Sequence, residues 1–184
     1  RRLPLETGYY EVYNQENVTL IDINKTPIEC INENGIKTSE GEFEFDLLIY
    51  ATGFDGVTGP YDRIDIKGKE GRCLKEEWTT FPRTLFGMQV DGYPNMLMIL
   101  GPHTARGNIP RNIEEVVEWQ TDLISFMMEN KFDRVEPDTT AVDDWINTVS
   151  KASEGLLSSK IASWQTGVNR NVEGRSAPRV LGYN

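Results

Sequence analysis

The sequence predicts an α/β fold, with strands in its first half and helices toward the C-terminus. Three observations carry this reading. Residues 17–50 hold short runs of β-branched and aromatic residues separated by glycine turns. Met96-Leu97-Met98-Ile99-Leu100 is apolar on both faces, as a buried strand is. Apolar residues between Ile113 and Met128 recur at helical spacing.

The elements follow in order. Val18, Leu20, Ile21 and Ile23 form a first strand candidate, and Pro27 breaks it. Residues 28–31 resume the pattern before the turn Glu33-Asn34-Gly35. Ile36 and Thr38 continue it to a second turn, Ser39-Glu40-Gly41, so a hairpin or meander is expected. The run from Phe43 to Tyr50 becomes apolar on both faces and reads as a buried strand. Residues 52–92 are punctuated by glycine and proline and read mostly as loop, with short strand candidates at 63–67 and 84–86.

A helix is expected over residues 112–130, carrying Ile113, Val116, Val117, Leu123, Ile124, Met127 and Met128. Asn112 and Glu115 have capping-box spacing at its start. A second helix begins near Asp138, after Pro137, with Val142, Trp145, Ile146 and Val149 on one face. A short helix is expected around 152–161, and a polar tail runs from Trp164 onward.

The chain has 184 residues, 38% of them hydrophobic, which is a globular composition of ordinary domain length. Nineteen basic against 29 acidic side chains give a net charge of −10, which repels phosphodiester backbones and anionic lipid. Neither nucleic acid nor a membrane is an expected partner. Cys30 and Cys73 are too few for a disulfide framework, and no apolar stretch reaches the length of a membrane span, so a cytoplasmic protein is expected. The start, Arg1-Arg2-Leu3-Pro4, has neither a secretory apolar core nor an initiating methionine, and the chain is expected to be a fragment.

Gly53, Gly56 and Gly59 are each three residues apart, so they do not form G-x-G-x-x-G, and there is no G-x-x-x-x-G-K-[ST] loop. Alone, the chain does not hold a dinucleotide pyrophosphate in the usual way. His103 is the only histidine and has no cysteine or acidic neighbour in its own loop. It reads as an ordinary loop residue, and no metal site is expected.

The informative segment is Asp46-Leu47-Leu48-Ile49-Tyr50-Ala51-Thr52-Gly53-Phe54-Asp55. Read from its residues, it is a strand ending in a tight turn whose small side chains allow close approach of backbone or ligand. Its pattern, D-x-[LIV]-[LIV]-x-A-T-G-[FY], resembles a segment of NADPH-dependent flavoprotein monooxygenases, and Asp55-Gly56-Val57-Thr58-Gly59 resembles their Baeyer-Villiger branch. Gly8-Tyr9-Tyr10-Glu11-Val12-Tyr13-Asn14, Asn17-Val18, Pro27-Ile28, Gly92-Tyr93-Pro94-Asn95, Gly101-Pro102, Glu118-Trp119 and Ser163-Trp164 are similar to the C-terminal third of that family, in the same order.

The resemblance implies the C-terminal portion of a flavoprotein with two Rossmann-like dinucleotide-binding domains, one for FAD and one for NADP. Residues 1–45 would end the NADP domain, and residues 46–184 would form the C-terminal part of the FAD domain. It implies FAD and NADPH as cofactors, and a ketone and O2 as substrates giving an ester or lactone. It also implies an N-terminal part of the same protein that carries two G-x-G-x-x-G motifs and F-x-G-x-x-x-H-x-x-x-W, none of them in these residues.

By the same resemblance Arg2 matches the active-site arginine, whose permanent charge would stabilise negative charge developing on oxygen. Arg1 matches a basic position facing the NADP phosphate. Either arginine, read from position alone, is a solvated charge. Thr52, Gly53, Phe54 and Asp55 would border the cofactor. Gly101, Pro102, Asn108 and Ile109 would bring a helix start to the flavin pyrimidine ring, although the same residues also suffice simply to begin a helix. Trp164 resembles a tryptophan near the nicotinamide and substrate pocket, and packing is its plain alternative.

The loop His103-Thr104-Ala105-Arg106-Gly107 does not name the ketone. The tail from Asn169 to Arg175 departs from the commoner N-x-P-G-K form. Two rivals remain open: a related flavin monooxygenase that oxidises nitrogen or sulfur, and a non-catalytic binding module. As an isolated chain the fragment is expected to be inactive and to expose apolar surface.

Overall fold

Turn chemistry shapes the beginning of the chain. In the computed structural model, which describes residues 5–105, 107–169, 172, 175 and 182–183, Asn32 Oδ1 accepts from the amides of Asn34 (2.9 Å) and Gly35 (2.8 Å). This folds β1 (Ile28–Ile31) back on β2 (Gly35–Thr38). A second turn, closed by Thr38 N–H on the Gly41 carbonyl at 2.8 Å, leads to β3 (Glu42–Glu44). The three strands form the expected antiparallel meander, with Ile31 opposite Ile36 and Ile36 opposite Phe43. Gly35 is required where β2 meets β3, because a Cβ there would fall 1.9 Å from the Phe43 carbonyl oxygen.

The chain divides into two compact units, Arg1–Gly53 and Phe54–Asn184. Two strand expectations in the first unit are corrected. Residues 18–22 carry no ladder, and the regular element before the meander is a single helical turn, α1 (Tyr9–Val12). The run expected to be a buried strand over 43–50 is ladder only as far as Glu44. Leu47 and Ile49 beyond it are 74% and 76% exposed. A strand apolar on both faces needs hydrogen-bonded neighbours and cover on each face. The described residues of the first unit supply neither to 47–50.

In the second unit the core sits where mostly loop was expected. Leu74, Trp78, Val90, Tyr93 and Met98 are buried together, with Tyr61, Ile66 and Met96 packed against them. The contributing turns, α2 (Gly59–Asp62) and α3 (Leu74–Glu77), are too short to display a hydrophobic period, which is why the pattern concealed them. Tyr61 meets Trp78 edge-on at 5.2 Å. Arg72 grips Glu77 with two hydrogen bonds of 2.6 and 2.7 Å and stands 5.4 Å from the centre of the Tyr93 ring. Burial pushes the Tyr93 hydroxyl well above the usual tyrosine range.

The strand candidates at 63–67 and 84–86 reduce to single bridges, Lys67 to Cys73 and Leu85 to Gln89. Residues 96–100 are not a ladder strand either. The segment is tied by Met98 N–H to the Met88 carbonyl (2.8 Å) and by Gly101 N–H to the Gly87 carbonyl (2.9 Å). Met98 is buried while Ile99 is half exposed. The described residues give this run no flanking strands, so one face alone is covered.

The helices follow the sequence closely. α4 (Ile109–Asn130) starts three residues earlier than expected because Asn108, not Asn112, is its cap: Asn108 Oδ1 accepts from Arg111 N–H at 3.3 Å, and Pro110 sits in the first turn. α5 (Thr139–Ser153) is capped as expected by Asp138, which accepts from Thr140 and Ala141 N–H at 2.9 and 3.3 Å. Val142 and Val149 are fully buried, and Trp145 stacks edge-on against Phe86 at 4.7 Å. The helix expected around 152–161 is one short turn, Leu157–Lys160. Two-residue strands β4 (Thr104–Ala105) and β5 (Gly182–Tyr183) pair in parallel. Among the described residues no helix is long and apolar enough to cross a membrane.

Candidate functional site

The second unit gathers the candidate residues into two groups. Arg1 and Arg2 lie outside the described residues. Thr52 and Gly53 close the first unit, with Gly53 in the left-handed region at φ 76°.

The first group begins at Phe54, whose ring is almost wholly exposed, and Asp55, which is partly buried. The next turn is tight. Thr58 N–H donates to the Gly56 carbonyl at 2.8 Å, Val57 is held at φ 63°, and a Cβ on Gly59 would fall 2.6 Å from that of Asp55. Trp164 lies on a one-turn helix, Trp164–Thr166, closed by reciprocal Ser163 and Thr166 bonds. Its ring edge passes over Gly56, where a Cβ would be 3.0 Å from Trp164 Cε3. The structure therefore brings Asp55 and Trp164 onto one turn. Trp164 remains 56% exposed, so its packing is partial.

The second group precedes α4. Gly101 and Pro102 are buried, while Asn108 and Ile109 are exposed at the helix start, which presents amide donors and positive potential outward. The loop before them is fixed from below. Thr84 Oγ1 donates to the Pro102 carbonyl at 2.7 Å, and Thr104 Oγ1 donates to the Gly101 carbonyl at 2.7 Å. His103 is a loop residue, as expected, but a fully buried one: its ring lies on Phe81 at 5.2 Å and its Nδ1 is 3.2 Å from Thr84 Oγ1. With the Thr84 proton given to Pro102, the hydroxyl accepts from His103 Nδ1–H. His103 thus braces the loop.

Both loops hold strained backbone, as do Glu70, Phe86, Asn95 and Lys131 elsewhere. Val57, Leu100 and His103 all have positive φ, a conformation costing about 1–3 kcal/mol for such residues. Strain of this kind persists where surrounding structure enforces a particular loop shape.

The sequence reading missed one member of the first group. Arg175 is 3% exposed and pairs with both Asp55 (Nη1 to Oδ1, 3.5 Å) and Asp62 (Nη2 to Oδ2). The available signal was in the tail. Asn171-Val172-Glu173-Gly174-Arg175 departs from N-x-P-G-K by losing the proline, yet it keeps a cation at the end.

No family model matches the chain. It is 42% identical over 165 residues to the cyclohexanone 1,2-monooxygenase of Acinetobacter sp, covering 89% of this chain and 30% of that protein. It is 41% identical over 163 residues to a Baeyer-Villiger monooxygenase of Pseudooceanicola batsensis, covering 88% of this chain and 30% of that protein. The closed crystal structure of cyclohexanone monooxygenase superposes with a TM-score of 0.88 at 37% identity, covering 99% of this chain and 34% of that one.

The chain spans about a third of the length of the Baeyer-Villiger monooxygenases it matches, consistent with a C-terminal piece of such a protein. The crystal structure of OTEMO in complex with FAD and NADP matches with a TM-score of 0.84 at 36% identity over all of this chain and 33% of that one. The similarity also reaches a phenazine N-monooxygenase of Lysobacter antibioticus, 38% identical over 95% of this chain and 32% of that protein.

Proposed function

We propose that this segment is the C-terminal part of an FAD- and NADPH-dependent monooxygenase that converts ketones to esters or lactones. One oxygen atom of O2 enters between the carbonyl carbon and its neighbour, the other leaves as water, and NADPH supplies two electrons. FAD, when bound, supplies the oxygen and electron chemistry. The observation that carries the reading is the match to a cyclohexanone monooxygenase structure across 99% of the chain.

This chain's own residues position and polarise. The exposed start of α4, at Asn108 and Ile109, suits a flavin carbonyl, because amide donors and helix potential favour charge on that oxygen. Exposed Gly53, at φ 76°, offers backbone that a cofactor can approach closely, while the buried Gly101 and Pro102, with their carbonyls accepting from Thr104 and Thr84, fix the loop that leads into α4. Trp164, half open over Gly56, suits the nicotinamide and substrate side. Arg2 would stabilise charge on oxygen and Arg1 would meet the NADP phosphate. The pyrophosphates belong to the N-terminal remainder, because these residues contain no G-x-G-x-x-G. In this reading residues 1–45 end a Rossmann-like NADP domain, residues 46–184 complete the FAD domain, and the protein is cytoplasmic.

A second reading, N-oxidation, is supported by the 38% identity to a phenazine N-monooxygenase. Expression of the longer protein with FAD, followed by NADPH consumption and mass analysis of products from ketones and from phenazine, separates the two. Ester or lactone one oxygen heavier than the ketone supports the first, N-oxide alone supports the second, and NADPH consumption with neither product overturns both.

A further inference from the structure

We infer that Arg175 is a positioning residue: it clasps the tail to the turn of residues 55–62 and thereby seats Trp164 over Gly56. The relevance of Trp164 rests on the proposed function, but the clasp itself rests on geometry alone.

The guanidinium is almost completely buried and lies between two carboxylates that belong to the same turn. Its Nη2 meets Asp62 Oδ2, and its Nη1 stands 3.5 Å from Asp55 Oδ1. Asp55 and Asp62, each about one-fifth exposed, would repel one another without a cation between them. Removing one partner of a buried pair leaves an uncompensated charge, which is far costlier than losing a surface pair. An arginine suits the position because one guanidinium nitrogen hydrogen-bonds Asp62 while the other stands at ion-pair distance from Asp55 without a hydrogen bond there, a spread that the single point charge of a lysine does not offer.

The tail is wound so that the clasp acts on Trp164. Arg175 N–H donates to the Val172 carbonyl (3.2 Å), Val172 N–H to that of Asn169 (3.1 Å), and Asn169 N–H to that of Arg175 (2.9 Å). Asn169 Nδ2 adds a bond of 3.4 Å to Asp55 Oδ1. Upstream, Val168 N–H returns to the Ser163 carbonyl at 3.0 Å, and Thr166 Oγ1 donates to the carbonyls of Ile161 and Ser163 at 2.9 Å each. These bonds link residues 163–169, 172 and 175 to one another, and among the described residues of this stretch the charged anchor is Arg175 on Asp55 and Asp62. Trp164 is 56% exposed, so little of its own burial holds it.

The test is hydrogen exchange, read by mass spectrometry, on the full chain and on the longer protein. It compares the parent sequence with Arg175→Met, Arg175→Lys and Asp62→Asn. Arg175→Met is expected to lose protection over residues 163–169 while α5 and the core around Leu74 keep theirs. Arg175→Lys, which retains the charge without the fork, is expected to restore part of it. Asp62→Asn, which keeps Arg175 packed, gives the same local loss and serves where Arg175→Met does not fold. Unchanged protection over 163–169 in both Arg175→Met and Asp62→Asn overturns the inference. So does a loss spread evenly over α5 and the core, or the absence of any recovery with lysine. A local loss in a longer protein that oxidises no substrate supports the clasp and overturns only the functional reading.

Discussion

Gln120 donates from Nε2 to the main-chain carbonyl of Met98 at 2.7 Å, and it is the buried residue of α4 among those described. A polar side chain therefore fastens the longest helix to the extended run that precedes it. Replacing Gln120 with leucine leaves the Met98 carbonyl buried without its partner, a loss of about 1–3 kcal/mol. For a chain of this size that lowers Tm by about 2–4 °C per kcal/mol. Calorimetry of Gln120→Leu against Gln120→Glu checks it, and a Tm unchanged in the leucine variant contradicts the role given to this bond.

Leu74 and Trp78 mark the core of the second unit. Leu74→Ala is expected to cost about 2–5 kcal/mol, the range for a buried leucine whose surroundings cannot collapse fully. Urea denaturation followed through tryptophan emission reads this directly, since Trp78 packs in the same cluster. Ile64, 58% exposed and close in sequence, is the control, and Ile64→Ala should shift the midpoint little.

The contrast between α5 and this core shows what the sequence made legible. Asp138 before a periodic apolar face fixes both the start and the buried side of α5, because capping and periodicity are local signals carried by one stretch of chain. Asn108 shows the limit of that: Asn112 with Glu115 had capping-box spacing too, and Pro110 in the first turn decided for the earlier start. Leu74 and Trp78, four residues apart, share the turn of α3, but the rest of the core of residues 59–98 comes from separate turns, and no period links that pair to Tyr61 or Val90. The strands expected at 43–50 and 96–100 have the apolar character of buried strands, but a strand is completed only by neighbours. Of the site, the loops at Gly53 and Gly101 were visible as motifs, whereas Arg175 meets Asp55 and Asp62 from more than a hundred residues away.

Asp138 gives a simple test of capping. Asp138→Ala removes the acceptor for two amides at the start of α5 and is expected to cost about 0.5–2 kcal/mol, whereas Asp138→Ser retains most of the stability. Thermal melts of the two variants, read by far-ultraviolet circular dichroism, distinguish a cap from a mere surface charge. Equal melts for alanine and serine variants would exclude the cap.

Glu77 predicts an acid dependence. The hydrogen bonds from Arg72 hold its carboxyl below the usual glutamate range, with burial opposing. As pH falls, the unfolded chain takes up this proton before the folded one does. The stabilisation is therefore complete above the ordinary glutamate range and is lost as pH drops through the depressed folded-state value. Glu77→Gln should be less stable near neutrality and show a shallower fall in stability below pH about 4.5. Urea midpoints measured across this window check both, and parallel curves for the variant and the parent sequence contradict the assignment.

The exposed run beyond β3 makes the last prediction. Leu47, Ile49 and Tyr50 are 74%, 76% and 66% exposed, and Phe54 is 97% exposed. Soluble proteins seldom leave so many large apolar side chains uncovered in one short stretch, and such surface binds hydrophobic dyes and promotes association. The isolated chain is expected to enhance the fluorescence of anilinonaphthalene sulfonate and to associate at micromolar concentration. Leu47→Lys with Ile49→Lys should reduce both effects. In the longer protein the same pair of substitutions should have the opposite outcome, lowering soluble yield, because lysines would then be forced into surface that the remainder of the protein covers. Equal tolerance of the lysines in both settings would show that this run stays exposed in the longer protein and has no strand neighbours there.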